Sequence, residues 1–115
     1  MAVVIYHNPR CSKSRQTLEL LKDNGVEPEV KEYLKTPPTA TTLRALFKAL
    51  DVPVRDAMRR KEQAYKELNL DAPEVKEADL IAAIVENPIL LERPIVVHGA
   101  KAAIGRPPEA VLEIL

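Results

Sequence analysis

Residues 3–7, Val-Val-Ile-Tyr-His, form a β-branched and aromatic run that stops at Asn8-Pro9. A run of that kind bounded by a turn signal predicts a buried strand. From Ser12 the apolar spacing becomes helical, with Leu18 and Leu21 three apart and Leu20 beside them, as far as Asn24-Gly25. Glycine suits the left-handed position that closes many helices. Residues 28–34 (PEVKEYL) alternate imperfectly around Val30, Tyr33 and Leu34 and predict a second strand. Adjacent strands joined through a helix run parallel with a right-handed crossover, so the chain opens as a βαβ unit.

Thr36-Pro37-Pro38-Thr39 breaks this pattern, and Leu43, Leu46, Phe47 and Leu50 follow at i, i+3, i+4 and i+7, the spacing of an amphipathic helix. Pro53 opens an arginine-rich segment with Arg55, Arg59 and Arg60. A short stretch around Tyr65–Leu70 leads to the turn Asp71-Ala72-Pro73, and Leu80, Ile81, Ile84 and Val85 share one face of a helix ended by Asn87-Pro88. Pro94–His98 is a second β-branched run, with Gly99-Ala100 as a hairpin turn before Lys101–Ile104. Gly105-Arg106-Pro107-Pro108 starts a final helix, in which Glu109 complements the dipole and Val111, Leu112 and Leu115 form the buried stripe. The order βαβ, helices, ββα predicts an α/β fold. Residues 1–115 form one domain with a single mixed sheet and a helical insertion at about 39–87.

Composition excludes several classes of function. Seventeen basic and seventeen acidic residues cancel, so no global field favours nucleic acid. No apolar run approaches the ~20 residues of a membrane span. The apolar start MAVVI has no basic flank of the kind a signal peptide carries, so a soluble, cytoplasmic protein is expected. One cysteine, Cys11, rules out an internal disulfide and a multi-cysteine zinc site, and with two histidines, His7 and His98, no metal site is expected.

Cys11 falls between the first strand and the first helix, in His7-Asn8-Pro9-Arg10-Cys11-Ser12-Lys13-Ser14-Arg15. Unpaired N–H groups of a first helical turn and the positive end of the macrodipole stabilise a thiolate, and the same amides hold an oxyanion. Arg10, Lys13 and Arg15 add cations nearby in sequence. Ser14 stands where a Cys-x-x-Cys motif has its second sulfur, so an oxidised adduct on Cys11 must be resolved by an outside thiol. Thr17 stands where the tyrosine-phosphatase pattern C-x5-R requires arginine, which excludes that reading.

The segment 6–21 (YHNPRCSKSRQTLELL), the phrase Glu92-Arg93-Pro94-Ile95-Val96-Val97 and Gly105-Arg106-Pro107-Pro108-Glu109 resemble the glutaredoxin-linked arsenate reductase family. Tyr33-Leu34, Pro37-Pro38 and Val54-Arg55 extend the resemblance over essentially the whole chain. It implies a thioredoxin-like fold, with a cis peptide bond before Pro94. Its nucleophile falls on Cys11 and the histidine that helps lower the thiol pKa falls on His7. The arginines that hold arsenate and its covalent intermediates fall on Arg59, Arg93 and Arg106. Arginine suits that task, since a tetrahedral oxyanion needs planar, permanently cationic donors.

The implied route is attack of the Cys11 thiolate on arsenate, addition of glutathione as electron-donating co-substrate, exchange with glutaredoxin and release of arsenite. No bound cofactor is implied. Ser12-Lys13 replaces a smaller, uncharged pair of the best-known arsenate reductases, and the chain stops at Leu115 where longer members continue. Both features point to a short, chromosomal-type branch. Two other readings fit parts of the pattern. A monothiol glutathione-dependent thiol reductase is favoured by Cys-x-x-Ser, whereas a redox regulator that binds RNA polymerase is disfavoured by the absence of a Cys-x-x-Cys switch.

Overall fold

Strand β1 (Val3–Tyr6) is the β-branched run, and it lies second in a four-stranded sheet of order β2-β1-β3-β4. The computed structural model describes residues 2–115. By backbone contacts the chain divides into two compact units, Met1–Thr36 with Arg93–Leu115, and Pro37–Glu92.

In the first unit, helix α1 (Ser12–Asp23) carries the chain from β1 to β2 (Glu29–Lys31). β1 and β2 are parallel, with Ile5 opposite Val30. β3 (Ile95–His98) runs antiparallel to β1, with Ile5 opposite Val96, and β4 (Lys101–Ile104) closes a hairpin on β3. Gly25 at φ +76° closes α1, and Gly99 at φ +63° makes the hairpin turn; both need a left-handed backbone that glycine adopts without strain. All three β2 residues are exposed, as suits a short edge strand.

Val3, Ile5, Leu21, Val96 and Val111 form the core of this unit, with Leu18, Leu20, Val26, Ala103 and Ile114 packed around them. Each fully buried aliphatic side chain contributes about 1.5–3 kcal/mol. The fold is a mixed sheet carrying a helical insertion, as the element order predicts, and it is thioredoxin-like, as the resemblance implies.

The last segment departs from expectation. Pro108–Ile114 is a 3-10 helix, and Val111 is buried while Leu112 and Leu115 are exposed. At three residues per turn Val111 and Ile114 eclipse on one face, so they form the packed pair and the α-helical stripe does not arise.

In the second unit, helix α2 (Ala40–Leu50) buries Leu43, Leu46 and Phe47, and Thr39 caps it by accepting from the Thr42 N–H at 3.2 Å. Helix α4 (Glu77–Glu86) buries Leu80, Ile81, Ala83 and Ile84 against it, and a short helix α3 (Gln63–Glu67) buries Tyr65. Arg55, in the 3-10 turn Val54–Ala57, donates to the carbonyls of Leu70 (3.0 and 3.1 Å), Ala72 (3.2 Å) and Val75 (3.4 Å), which ties the loop before α4 to that turn. The unit extends beyond the expected 39–87. After α4 the chain makes a 3-10 turn at Pro88–Leu90 and returns beside residues 57–59. There the Glu92 N–H donates to the Ala57 carbonyl at 2.9 Å and the Arg59 N–H to the Leu90 carbonyl at 2.7 Å. Among the described residues, no helix is long and apolar enough to cross a membrane.

Candidate active site

The turn after β1 sets the position of Cys11. Asn8 Oδ1 accepts from the Arg10 N–H at 3.0 Å, and the Asn8 carbonyl accepts from the Cys11 N–H at 3.0 Å. This side-chain-closed turn delivers Cys11 to the N-cap of α1 in extended conformation, φ −94° and ψ 123°. The Cys11 carbonyl then accepts the first helical bond, from the Arg15 N–H at 3.0 Å.

α1 buries Ser14, Thr17 and Leu21, so two of the three buried positions on its inner face are hydroxyls. Both are satisfied. The Thr17 hydroxyl donates to the Lys13 carbonyl at 2.8 Å, and Ser14 Oγ accepts from the Asn8 N–H at 3.0 Å while lying 2.6 Å from His7 Nδ1. Ser14 therefore fastens the helix start to the end of β1. Sequence spacing marked it only as an absent second sulfur. The signal that could have found its anchoring role is the Asn8-Pro9 turn, since the Asn8 N–H and the His7 ring both reach Ser14 from there.

His7 is buried, and burial above all holds its pKa below the usual imidazole value, with Arg15 and Lys22 adding to the effect and Glu32 opposing it. Its short contact is with Ser14, and the groups that shift the Cys11 thiol do not include it.

Two arginines remote in sequence act on Cys11. The Arg93–Pro94 peptide bond is cis, as is Arg106–Pro107. The Arg106 Nε donates to the Arg93 carbonyl at 2.9 Å, and Nη2 of the same guanidinium lies 3.7 Å from Cys11 Sγ. Gly105 fixes this segment: its N–H donates to the Pro94 carbonyl at 2.9 Å, and a Cβ placed on it would lie 2.5 Å from Thr17 Oγ1 and 2.8 Å from Pro94 Cγ. Only glycine lets the α1 face and the Pro94 loop close on this strand end.

The thiol pKa is lowered overall. Burial pushes it up, and this is outweighed by the Ser14 amide, the Arg93 guanidinium, the Lys13 amide and the Arg106 guanidinium, in that order. The helix amides act as the sequence predicts, but the working cations differ from those expected. Arg10, Lys13 and Arg15 are exposed, Lys13 acts through its backbone, and Arg15 turns back to donate to the Pro9 carbonyl at 2.9 Å.

Arg59 belongs to the second unit, where its Nη1 pairs with Glu62 Oε1 at 2.8 Å. His98, at the end of β3, places Nδ1 2.6 Å from the Ile114 carbonyl and serves the C-terminal segment. Among the described residues, no three His, Cys, Asp or Glu side chains are placed to hold a metal ion.

A cysteine capping the helix of a βαβ unit, beside a cis-proline segment on the neighbouring antiparallel strand, defines a thioredoxin-like protein with a single activated thiol. Residues 6–114 match the ArsC family, and the chain belongs to it. The arsenate reductase of Haemophilus influenzae is 51% identical, with all of both chains covered. The uncharacterised protein YfgD of Escherichia coli K12 is 63% identical over 98% of this chain and 96% of its own. The solved structure of the arsenate reductase from Vibrio cholerae superposes with a TM-score of 0.98 at 53% identity, covering 100% of this chain and 98% of that one.

Proposed function

We propose that this protein is an arsenate reductase that draws its electrons from glutathione and glutaredoxin. The observation that carries the reading is the Arg106 guanidinium 3.7 Å from Cys11 Sγ, anchored on the Arg93 carbonyl at the N-terminus of α1. A thiolate at a helix start with two arginines beside it suits a nucleophile whose electrophile is a tetrahedral oxyanion. The arsenate reductases among its relatives support the choice of arsenate.

In this reading Arg93 and Arg106 hold arsenate oxygens, and the Cys11 sulfur displaces one oxygen, which leaves as water after protonation. Arsenic remains pentavalent on the cysteine. Glutathione displaces a second oxygen as water. A glutaredoxin thiolate then attacks the glutathione sulfur, so the S–As electron pair stays on arsenic and reduces it to the trivalent state, while glutaredoxin carries away the mixed disulfide. Water cleaves the Cys11–arsenic bond, releasing arsenite and restoring the thiol. Arg59 is the third arginine of the proposed oxyanion set, and that assignment rests on the resemblance of its sequence position.

Coupled NADPH oxidation with glutathione reductase, glutathione, glutaredoxin and arsenate tests the proposal. Turnover is expected with the wild type and none with Cys11→Ser. Reduction of glutathione mixed disulfides without any arsenate turnover would assign the chain to monothiol disulfide reduction instead.

A further inference from the structure

β1 and β2 run parallel, so they leave the sheet at the same end, where the His7 N–H donates to the Lys31 carbonyl at 2.8 Å. The crevice beyond the carboxyl ends of parallel strands is where open α/β sheets receive ligands. Here the two exits, residues 7–10 and residues 32–35, wall an open cleft of about 200 Å³. Pro9 and Leu34 give it apolar surface, the largely buried His7 forms part of its wall, and Arg10, Lys35 and Glu32 supply two cations and one anion. Arg10, on the cleft wall, immediately precedes Cys11 in the chain, which places the edge of the cleft one residue from the thiol. Lys35 Nζ and Glu32 Oε1 lie 3.5 Å apart, with the side chains 78% and 40% exposed. A pair so exposed is worth little, and each partner is available to charges on a ligand.

We propose that this cleft is the docking subsite for the external thiol that resolves Cys11, and that it takes a small peptide thiol bearing two carboxylates and one ammonium group. The inference rests on the arsenate reductase reading and adds to it where the second substrate sits. Cys11 is the chain's single cysteine, and the position of a second sulfur is filled by Ser14, buried and hydrogen-bonded. The resolving thiol therefore approaches from outside the chain. Arg10 and Lys35 answer two carboxylates, Glu32 answers the ammonium, and Leu34 takes the aliphatic stem. A second site for inorganic oxyanion would gain nothing from Glu32, whose carboxylate repels it. The step served is addition of the thiol to arsenic on Cys11: an S–As bond forms, an As–O bond breaks, water leaves, and no electrons change hands.

The probe is S-methylglutathione, which cannot react, titrated into the Cys11→Ser protein and followed by backbone amide NMR. Saturable shifts are expected at Arg10, Leu34 and Lys35, with affinity about tenfold weaker in Lys35→Glu. In steady-state turnover Lys35→Glu is expected to raise the KM for glutathione by a similar factor while the KM for arsenate stays put. Shifts confined to other residues overturn the proposal, as does an unchanged glutathione KM in Lys35→Glu. So does arsenate alone saturating the same amides. A wild type that reduces arsenate without cleft shifts removes the subsite and leaves the activity standing. Cleft binding without arsenate turnover removes the activity and leaves the subsite.

Discussion

The Arg93 carbonyl accepts from Arg106 Nε at 2.9 Å, and that bond aims the rest of the Arg106 guanidinium at Cys11 Sγ. Residues 93 and 106 flank the β3–β4 hairpin, so the sheet itself sets the spacing between them. Arginine at 106 thus has two jobs, one structural and one electrostatic, performed by different nitrogens of one planar group.

Replacing either arginine removes a cation that acts on the thiol. Arg93→Ala and Arg106→Ala are expected to lower kcat/KM for arsenate by about ten- to a hundredfold, the loss of one charge-assisted hydrogen bond of about 1.5–3 kcal/mol. Arg106→Lys is expected to recover only part, because an ammonium cannot bond the Arg93 carbonyl and face the sulfur in the same geometry. Arg59→Ala, assayed alongside, tests the role its sequence position implies. Sulfate and phosphate are expected to compete with arsenate in the wild type.

The thiol pKa sets the pH profile. Cys11 is expected to titrate below a free cysteine, read as thiolate absorbance with Cys11→Ser as blank. The reactive form is the deprotonated one. The Cys11-dependent rate is therefore flat above the midpoint and falls about tenfold per pH unit below it. Arg93→Ala and Arg106→Ala each remove a cation that favours the thiolate, so each moves the midpoint upward.

Ser14→Ala tests the helix anchor. It strips a partner from both the Asn8 N–H and His7 Nδ1 in a buried setting, and about 1–3 kcal/mol of unfolding free energy is expected to be lost in denaturant titration. Since the Ser14 amide is the strongest influence lowering the thiol pKa, a loosened helix start is expected to raise the Cys11 midpoint as well.

Gly105→Ala probes a close approach in the first unit. The added methyl would sit 2.5 Å from Thr17 Oγ1, itself held by the Lys13 carbonyl, and 2.8 Å from Pro94 Cγ. Overpacking of this kind costs about 1–3 kcal/mol, a fall of several degrees in Tm, and it displaces the neighbouring Arg106 from the sulfur. A wild-type Tm would show that the strand end relaxes freely.

Local pattern made the elements legible where one periodicity dominated. The run at residues 3–7, the i, i+3, i+4, i+7 spacing of α2 and the Pro94–His98 run are all found where the residues place them. Pattern failed where geometry changed period. Pro108–Ile114 carries apolar residues compatible with an α-helix, and only the tighter 3-10 winding decides that Ile114 packs while Leu112 and Leu115 face solvent. The inner face of α1 was obscured differently, because Ser14 and Thr17 are buried through hydrogen bonds that hydrophobicity does not register.

The site was half legible. Cys11 at a strand-to-helix junction is a local signal, and the helix start accounts for part of the lowering of its pKa. Its cationic partners are not local. Arg106 lies 95 residues away, and no spacing within the sequence points from one to the other; the match to a family motif named it. The nearby cations Arg10 and Arg15 drew attention by proximity in sequence. In space, Arg15 is committed to the Pro9 carbonyl and two arginines from the opposite end of the chain take the role.

The most direct test of the account is protection of Cys11 from alkylation. The rate of iodoacetamide reaction with the wild-type protein is measured at fixed pH over a series of arsenate concentrations, without glutathione or glutaredoxin. A thiolate that both binds and attacks the oxyanion predicts fast alkylation that slows saturably as arsenate is added, with the saturation weakened about tenfold or more in Arg106→Ala. An alkylation rate independent of arsenate would contradict the assignment of Cys11 and its two arginines as an arsenate site.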